Sequence, residues 1–375
     1  MKLTKLYIHN YKSFYDTTIE LDKMNIVVGE NNSGKSNLID VLEFIDISIK
    51  KDLFQAVIEK GGFEKLFNYN YDEKFITIEI KLENDLFLIK SRFSINEKVS
   101  VTSAIIYAKN REEDTVFPLE IKGMRFNKEL KIKQTRDSRL ISKNILKLDD
   151  GQKLFMLDPR YHHLLSFISR TYVFNTENIR NQSHKKATTY LEKDGSNLGR
   201  NLLELKSNNP EEFETISNSM IGIVNEIDGI DVQETFGNYL IGFNEKNKQV
   251  GIDTVSDGTI NLLATMTALN QPKNMTLLLA FDEPERYLHL KAINYLLENF
   301  RASDKQILIT THSTEILKYA NLDEVVFIYR DADGDTQSIR ATDIPDLEGK
   351  MERLGYERPL TLDELIATNI IGNFE

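Results

Sequence analysis

Gly29, Glu30, Asn31, Asn32, Ser33, Gly34, Lys35 and Ser36 follow the pattern G-x-x-x-x-G-K-[ST] in full. Glycines at that spacing let backbone N–H groups curl around phosphate oxygens, and a helix starting there adds the positive end of its dipole. The pattern predicts that Lys35 reaches the β- and γ-phosphates of a nucleoside triphosphate and that the Ser36 hydroxyl ligates Mg²⁺. An ordinary glycine turn is the other reading of such a loop. Its surroundings argue against that: a short β-branched run, residues 25–28, leads into Gly29, and a helical pattern follows Ser36.

A second set of residues lies far downstream. Residues 275–281 form a continuous apolar run that ends in Asp282 and Glu283. Such a run suits a central parallel strand, and in a doubly wound sheet the C-terminal ends of strands face the ligand crevice. Asp282 is then placed to hold the Mg²⁺ shell and Glu283, one residue on, to point at an attacking water. A solvated loop after a core strand is the bland alternative. A further apolar strand, residues 306–310, is followed by Thr311, His312 and Ser313. A lone histidine is usually structural, but this one is placed to sense a γ-phosphate. Upstream, Ser256, Asp257 and Gly258 open an apolar helix over residues 260–269. Ser256 is a candidate N-cap, and the N–H groups behind it form an anion site. A capped core helix explains the serine, but not why this segment lies just before the acidic strand.

The elements that must position these residues are legible from periodicity. Residues 2–9 alternate as a strand, residues 17–21 read as a second, and residues 37–49 carry apolar side chains at helical spacing. From residue 75 to 109 three strand-like runs separated by turn residues predict an antiparallel meander. Residues 120–170 are mixed and lysine-rich, with a helix expected near 164–169. Helices are expected over 198–205 and 213–227, a strand over 171–174, and a hairpin over 232–243 that turns at Gly237 and Asn238. The α/β pattern returns at Thr254 and holds to about Tyr329. No internal repeat, low-complexity tract or heptad run is present.

Composition narrows the class. The chain has 375 residues, 41% hydrophobic and 28% charged, with no cysteine and a net charge of −11. That balance is globular. It excludes thiolate metal sites and disulfides, and no apolar stretch is long enough to cross a bilayer. No signal-peptide pattern opens the chain, so a cytoplasmic protein is expected. Proteins that coat nucleic acid are usually basic, so DNA is the less favoured partner. The lysine- and arginine-rich residues 125–147 read as a solvated face or as a local DNA patch, the first being favoured.

The order of phosphate loop, S-x-G helix start, apolar strand with Asp-Glu and strand with His resembles the ABC-type ATPases. More narrowly it is similar to the RecF/SMC/OLD-like group of AAA-domain ATPases. The similarity is strong over residues 1–45 and 250–330 and weaker at residues 190–205 and at the C-terminal end. It implies an α/β P-loop NTPase head of ABC type, with an antiparallel β subdomain and a helical signature lobe. Residues 1–330 would form the head, divided at 1–60, 61–118, 119–170, 171–270 and 271–330, and residues 331–375 a tail packed on it.

By this resemblance Gly29, Asn31, Asn32, Ser33, Gly34, Lys35, Ser36 and Asn37 bind ATP as the Walker A segment. Ser36 and Asp282 hold Mg²⁺, Glu283 is the general base, His312 the switch histidine, and Ser256 and Gly258 the signature loop that completes the site of a second copy. The resemblance implies a homodimer or higher homo-oligomer, a separate effector protein and, by analogy, anti-phage defence. A RecF-like DNA-repair ATPase and a nucleotide-binding scaffold are the alternatives. The chain departs from the pattern in reading SDG for SGG, in lacking a clear Q-loop glutamine (Asn175 or Gln182 standing nearest), and in reading LHL after Glu283. The 219 residues between Ser36 and Ser256 are too few for long coiled-coil arms, and the residues given beyond Tyr329 are not expected to form a nuclease domain.

Overall fold

In β1, Lys2–His9, residues Leu3, Leu6 and Ile8 are all fully buried. Strict alternation would turn Leu3 away from Leu6. A register shift between Leu3 and Lys5 against the neighbouring strand absorbs the odd residue, as a β-bulge does. The computed structural model to which this strand belongs describes residues 2–50, 53–83, 87–97, 101–110, 115–122, 169–181, 190–246, 248–271 and 278–347, with 349 and 352. It divides into two units, one of Met1–Arg170, Met275–Leu278 and Leu322–Leu347, the other of Thr171–Asn274, Leu279–Asn321 and Glu348–Glu375.

The first unit holds a six-stranded antiparallel sheet. With β2 Thr17–Glu20, β3 Met24–Val28, β4 Phe75–Glu83, β5 Phe87–Asn96, β6 Val101–Asn110 and β7 Thr115–Lys122, its order is β2-β1-β4-β5-β6-β7. The expected meander is present and gains a fourth strand, β7. β3 belongs elsewhere. All five of its residues are buried, and it pairs in parallel with β14, Val325–Arg330. β14 in turn pairs antiparallel with β15, Thr336–Arg340. The boundary expected at residue 330 therefore falls inside a hairpin. Its signal was the turn-rich run from Asp331 to Asp335 between two β-prone stretches.

Helix α1, Lys35–Lys50, begins directly after the glycine loop, and α2, Leu53–Glu59, follows it. Asp40 on α1 accepts from the Tyr11 hydroxyl at 2.8 Å and pairs with Lys12 at 2.5 Å and Lys60 at 2.6 Å. Burial works against its charge, yet the two lysines and the tyrosine hold the carboxyl below its ordinary value.

The second unit contains all of β13, most of β12 and the second half of β8 in a run of strands in the order β13-β12-β8, namely Gln306–Thr311, Leu278–Asp282 and Ser169–Tyr172. Ser169 opens β8 where a helix end was expected. The rest of that expected helix, and the basic residues 125–147, lie outside the described residues. Helices α3 Thr176–Arg180, α4 Leu198–Asn208, α5 Pro210–Ile223, α6 Asp257–Leu269, α7 Leu290–Ala302 and α8 Thr314–Leu317 accompany these strands.

Two expectations in this unit shift. α5 starts three residues early, because Pro210 sits at its first position with Glu211 and Glu212 in the first turn. It stops at Ile223, where Val224 turns extended. The hairpin of β9 Gly229–Thr235 and β10 Asn238–Glu245 turns at Phe236 and Gly237, both at positive φ (52° and 78°), so Asn238 is already in the strand. β11, Lys248–Gly251, pairs with β10 and was not anticipated. No helix among the described residues is long and apolar enough to cross a membrane.

Candidate functional site

The glycine loop lies in the first unit, between the end of β3 and the start of α1. Gly29 has no room for a side chain, since a Cβ there would stand 2.1 Å from the Ile328 carbonyl oxygen. Gly34 adopts φ +117°, and its Cβ would meet Thr336 Oγ1 at 2.4 Å. Asn32 between them is left-handed at φ 67°. Inside the turn the buried Lys35 ammonium donates to the carbonyls of Gly29 at 2.5 Å and Glu30 at 2.7 Å. Ser36 is exposed one residue on. Asn37 is turned elsewhere: its side-chain amide donates to Ser13 Oγ at 2.7 Å.

A narrow turn with left-handed residues, a buried cation and a 16-residue helix behind it fits a polyphosphate, which takes N–H donors and positive charge together. Asn31, Asn32 and Ser33 form the crest of this turn. Arg330, at the end of β14, donates from Nε to the Asn32 carbonyl at 2.9 Å.

The acidic residues, the histidine and the signature residues lie in the second unit. Asp282 ends β12, and one of its oxygens accepts from the Thr310 hydroxyl at 2.5 Å. Glu283 donates its backbone N–H to the Thr310 carbonyl at 2.9 Å and is held at φ 49°, a left-handed conformation uncommon outside glycine. Its carboxylate lies 3.6 Å from His312 Nε2, with both side chains partly exposed, at 35% and 41%. The ends of β12 and β13 thus bring Glu283 and His312 together.

Glu285 differs from Glu283. It is 7% exposed, it accepts from the Thr311 hydroxyl, and its second oxygen has no hydrogen-bond partner among the described residues. Burial pushes its pKa up to about 7, against the pull of the Thr311 and backbone hydrogen bonds, with Glu283 and Asp282 adding repulsion. The Ser313 N–H also donates to Thr311 Oγ1, so Glu285 and the turn beyond β13 share one hydroxyl. A cleft of about 630 Å³ opens beside these groups, lined by Glu283, Tyr287, His289, Leu290, His312 and Glu315 among others.

Ser256 is the N-cap of α6, its hydroxyl accepting from Thr259 N–H at 3.1 Å. Gly258 is glycine for a reason inside the chain, since a Cβ would stand 2.3 Å from the Tyr287 carbonyl oxygen. Asn261, one turn on and buried, donates to the Pro284 and Arg286 carbonyls at 3.2 and 3.4 Å. The start of α6 therefore packs directly on the loop that follows Glu283. Arg180 ties the other side, bonding the carbonyls of Ile252 and Val255 and the Asp257 carboxylate. Of the Q-loop candidates, Asn175 caps α3 by accepting from Asn178 N–H, and Gln182 is outside the described residues.

Sequence reading missed Arg180, Asn261, Thr310, Arg330 and Thr336. Only the last two had a signal, the turn chemistry of the terminal hairpin.

The comparisons agree with this architecture. A family model described as "AAA domain, putative AbiEii toxin, Type IV TA system" matches residues 24–318. The chain is 30% identical over 95 residues to the DNA double-strand break repair Rad50 ATPase of Pyrococcus abyssi (strain GE5 / Orsay), covering 23% of this chain and 9% of that protein. It is 28% identical over 130 residues to Endonuclease GajA of Bacillus cereus (strain VD045), covering 35% of this chain and 20% of that protein. The chain thus spans a fifth or less of the length of these two relatives. An SMC head bound to the C-winged helix domain of ScpA superposes with a TM-score of 0.55 at 14% identity, over 90% of this chain and 98% of that one. That likeness shows the fold alone, that of an SMC head domain.

Proposed function

The chain belongs to the AAA-domain family matched over residues 24–318, and on that premise we propose that it is an Mg²⁺-dependent ATPase acting as a switch. Two copies would close head to head on ATP and control a separate effector protein, in anti-phage defence. The observation that carries hydrolysis is Glu283, half-exposed, held in a left-handed backbone conformation and facing His312 at 3.6 Å. Strain of that kind persists where the surrounding structure requires one side-chain direction.

Lys35 and the N–H groups of the glycine loop would hold the β- and γ-phosphates, which neutralises charge that the transfer spreads over the phosphoryl oxygens. The Ser36 hydroxyl and the Asp282 oxygen not engaged by Thr310 would hold Mg²⁺, which when bound neutralises further phosphate charge. Glu283 accepts a proton from water as the water oxygen bonds to the γ-phosphorus. The bond from that phosphorus to the bridging oxygen breaks, leaving ADP and phosphate. His312, 3.6 Å from the Glu283 carboxylate, would donate to the γ-phosphate. Ser256 and the N-terminus of α6 would face the γ-phosphate held by a second copy.

Control of an effector and a defence role draw support from the family description, which names a toxin and a TA system. They rest on analogy, since one fold hosts many functions. The match to a repair ATPase favours a second reading, a clamp on DNA. The net charge of −11 weighs against it.

The test is equilibrium binding of a fluorescent ATP analogue to the full chain and to Lys35→Ala. The alanine variant should lose binding, and undiminished affinity would place the nucleotide elsewhere.

A further inference from the structure

The terminal hairpin, β14 to β15, reaches the glycine loop at three points. The Ile328 carbonyl oxygen occupies the space a Gly29 side chain would need, Arg330 bonds the Asn32 carbonyl, and Thr336 fills the space beside Gly34. Thr336 is fully buried, with Oγ1 2.8 Å from the Ser33 carbonyl oxygen and 2.7 Å from Ser13 Oγ. Ser13 Oγ also accepts from the Asn37 amide at 2.7 Å. Each hydroxyl has one proton. All three bonds are satisfied when Asn37 donates to Ser13, Ser13 to Thr336, and Thr336 to the Ser33 carbonyl. The relay starts on the first turn of α1 and ends on the crest of the loop, spanning both sides of Lys35.

The backbone of Thr336 is itself fixed. Its N–H donates to the Ser13 carbonyl at 2.7 Å, and its carbonyl accepts from the Thr17 hydroxyl at 2.5 Å. The turn before it is anchored through Asp335, which accepts from Asn68 at 2.7 Å and from the Tyr71 hydroxyl. Thr336 is thus a rigid post, and the loop is shaped against it.

We propose that Thr336 is a positioning residue for nucleotide binding, holding the Ser33–Gly34 turn and, through Ser13 and Asn37, the start of α1 in the phosphate-binding shape. This rests on the reading that the glycine loop binds ATP. Asn32 and Gly34 hold positive φ, and Thr336 supplies both volume beside Gly34 and a hydrogen bond to the Ser33 carbonyl. It acts through the loop and touches no substrate atom.

The test uses the full chain with Thr336→Val, which keeps the volume and removes the hydroxyl, and Thr336→Ser, which keeps the hydroxyl. Affinity for a fluorescent ATP analogue is measured well below each variant's Tm, with Lys35→Ala as the reference for the site. A buried carbonyl left without its donor loses enough to weaken binding about tenfold or more. Thr336→Val should show that loss while staying folded, and Thr336→Ser should recover most of the affinity.

A Thr336→Val protein with a lowered Tm but wild-type affinity would overturn the proposal, leaving Thr336 a packing residue only. Should Thr336→Val fail to fold, Ser13→Ala breaks the same relay outside the hairpin. A weakened affinity there supports the proposal, and a wild-type affinity overturns it. Failure of the nucleotide reading looks different. Wild-type protein that binds no ATP, or Lys35→Ala that binds as wild type, would remove that reading and this proposal with it.

Discussion

Glu283 and His312 face each other at 3.6 Å across the ends of β12 and β13, while Glu285, only two residues further along the chain, is buried against Thr311. The loop after β12 thus turns one carboxylate outward and the other inward. Of the two, Glu283 is the more exposed and the better placed to meet a water.

That division predicts the effect of Glu283→Gln. The amide keeps the size but accepts no proton, so single-turnover hydrolysis should fall by about 10²–10⁴. Asp282 keeps its Thr310 bond, and ATP should still bind. Gel filtration in Mg-ATP should show an accumulated dimer. Near-normal turnover would assign the base to another group, and slow turnover without a dimer would discard the head-to-head switch.

Glu285 makes stability depend on pH. Its pKa rises from an ordinary 4.5 to about 7 in the folded chain, so the fold favours the protonated form. That contribution is fully present below the unfolded pKa and is lost as pH rises through the folded one. Between about pH 5 and 7 the wild type should lose on the order of 2 kcal/mol, and Glu285→Gln should lack that slope. Urea midpoints taken without Mg²⁺ across this range test it. Parallel curves for the two proteins would show that Glu285 is not the titrating group.

The start of α6 separates two roles. Gly258→Ala places a methyl group 2.3 Å from the Tyr287 carbonyl, so the helix or the loop must move, at a cost of about 1–3 kcal/mol. Ser256→Ala removes only the cap, at about 1 kcal/mol. Thermal denaturation should rank them in that order, and an equal or reversed order would mean the loop yields freely.

Ser256→Arg addresses the second copy. It adds a bulky cation where a partner's nucleotide would lie and leaves the residues of the glycine loop unchanged. ATP binding should survive while ATP-induced association, followed by light scattering, fails. A dimer indifferent to both nucleotide and this substitution would point to a constitutive interface.

DNA binding, if measured on the isolated protein, should be weak and fall linearly in log affinity with log salt. Filter binding at several salt concentrations reads this directly. Tight binding insensitive to salt would promote the DNA-clamp reading.

Local chemistry made much of this protein legible in its sequence. The glycine loop was visible because a narrow turn needs glycine at fixed offsets, and β12 because a strand buried on both faces is continuously apolar. The helix start at Ser256 was visible because a cap requires a small oxygen-bearing side chain. What the sequence did not carry depends on which distant residues meet. Thr336 stands 323 positions from Ser13, with which it shares a hydrogen bond, and nothing local to either predicts the other. Gly258 reads as part of an anion site, yet the Tyr287 carbonyl is what leaves no room for a side chain there. Glu283 and Glu285 are the same residue type two positions apart, and only the folding of the loop against Thr311 decides which is buried and which is partly exposed. Periodicity and turn rules act over a few residues, whereas burial and side-chain pairing are set by packing between strands far apart in the chain.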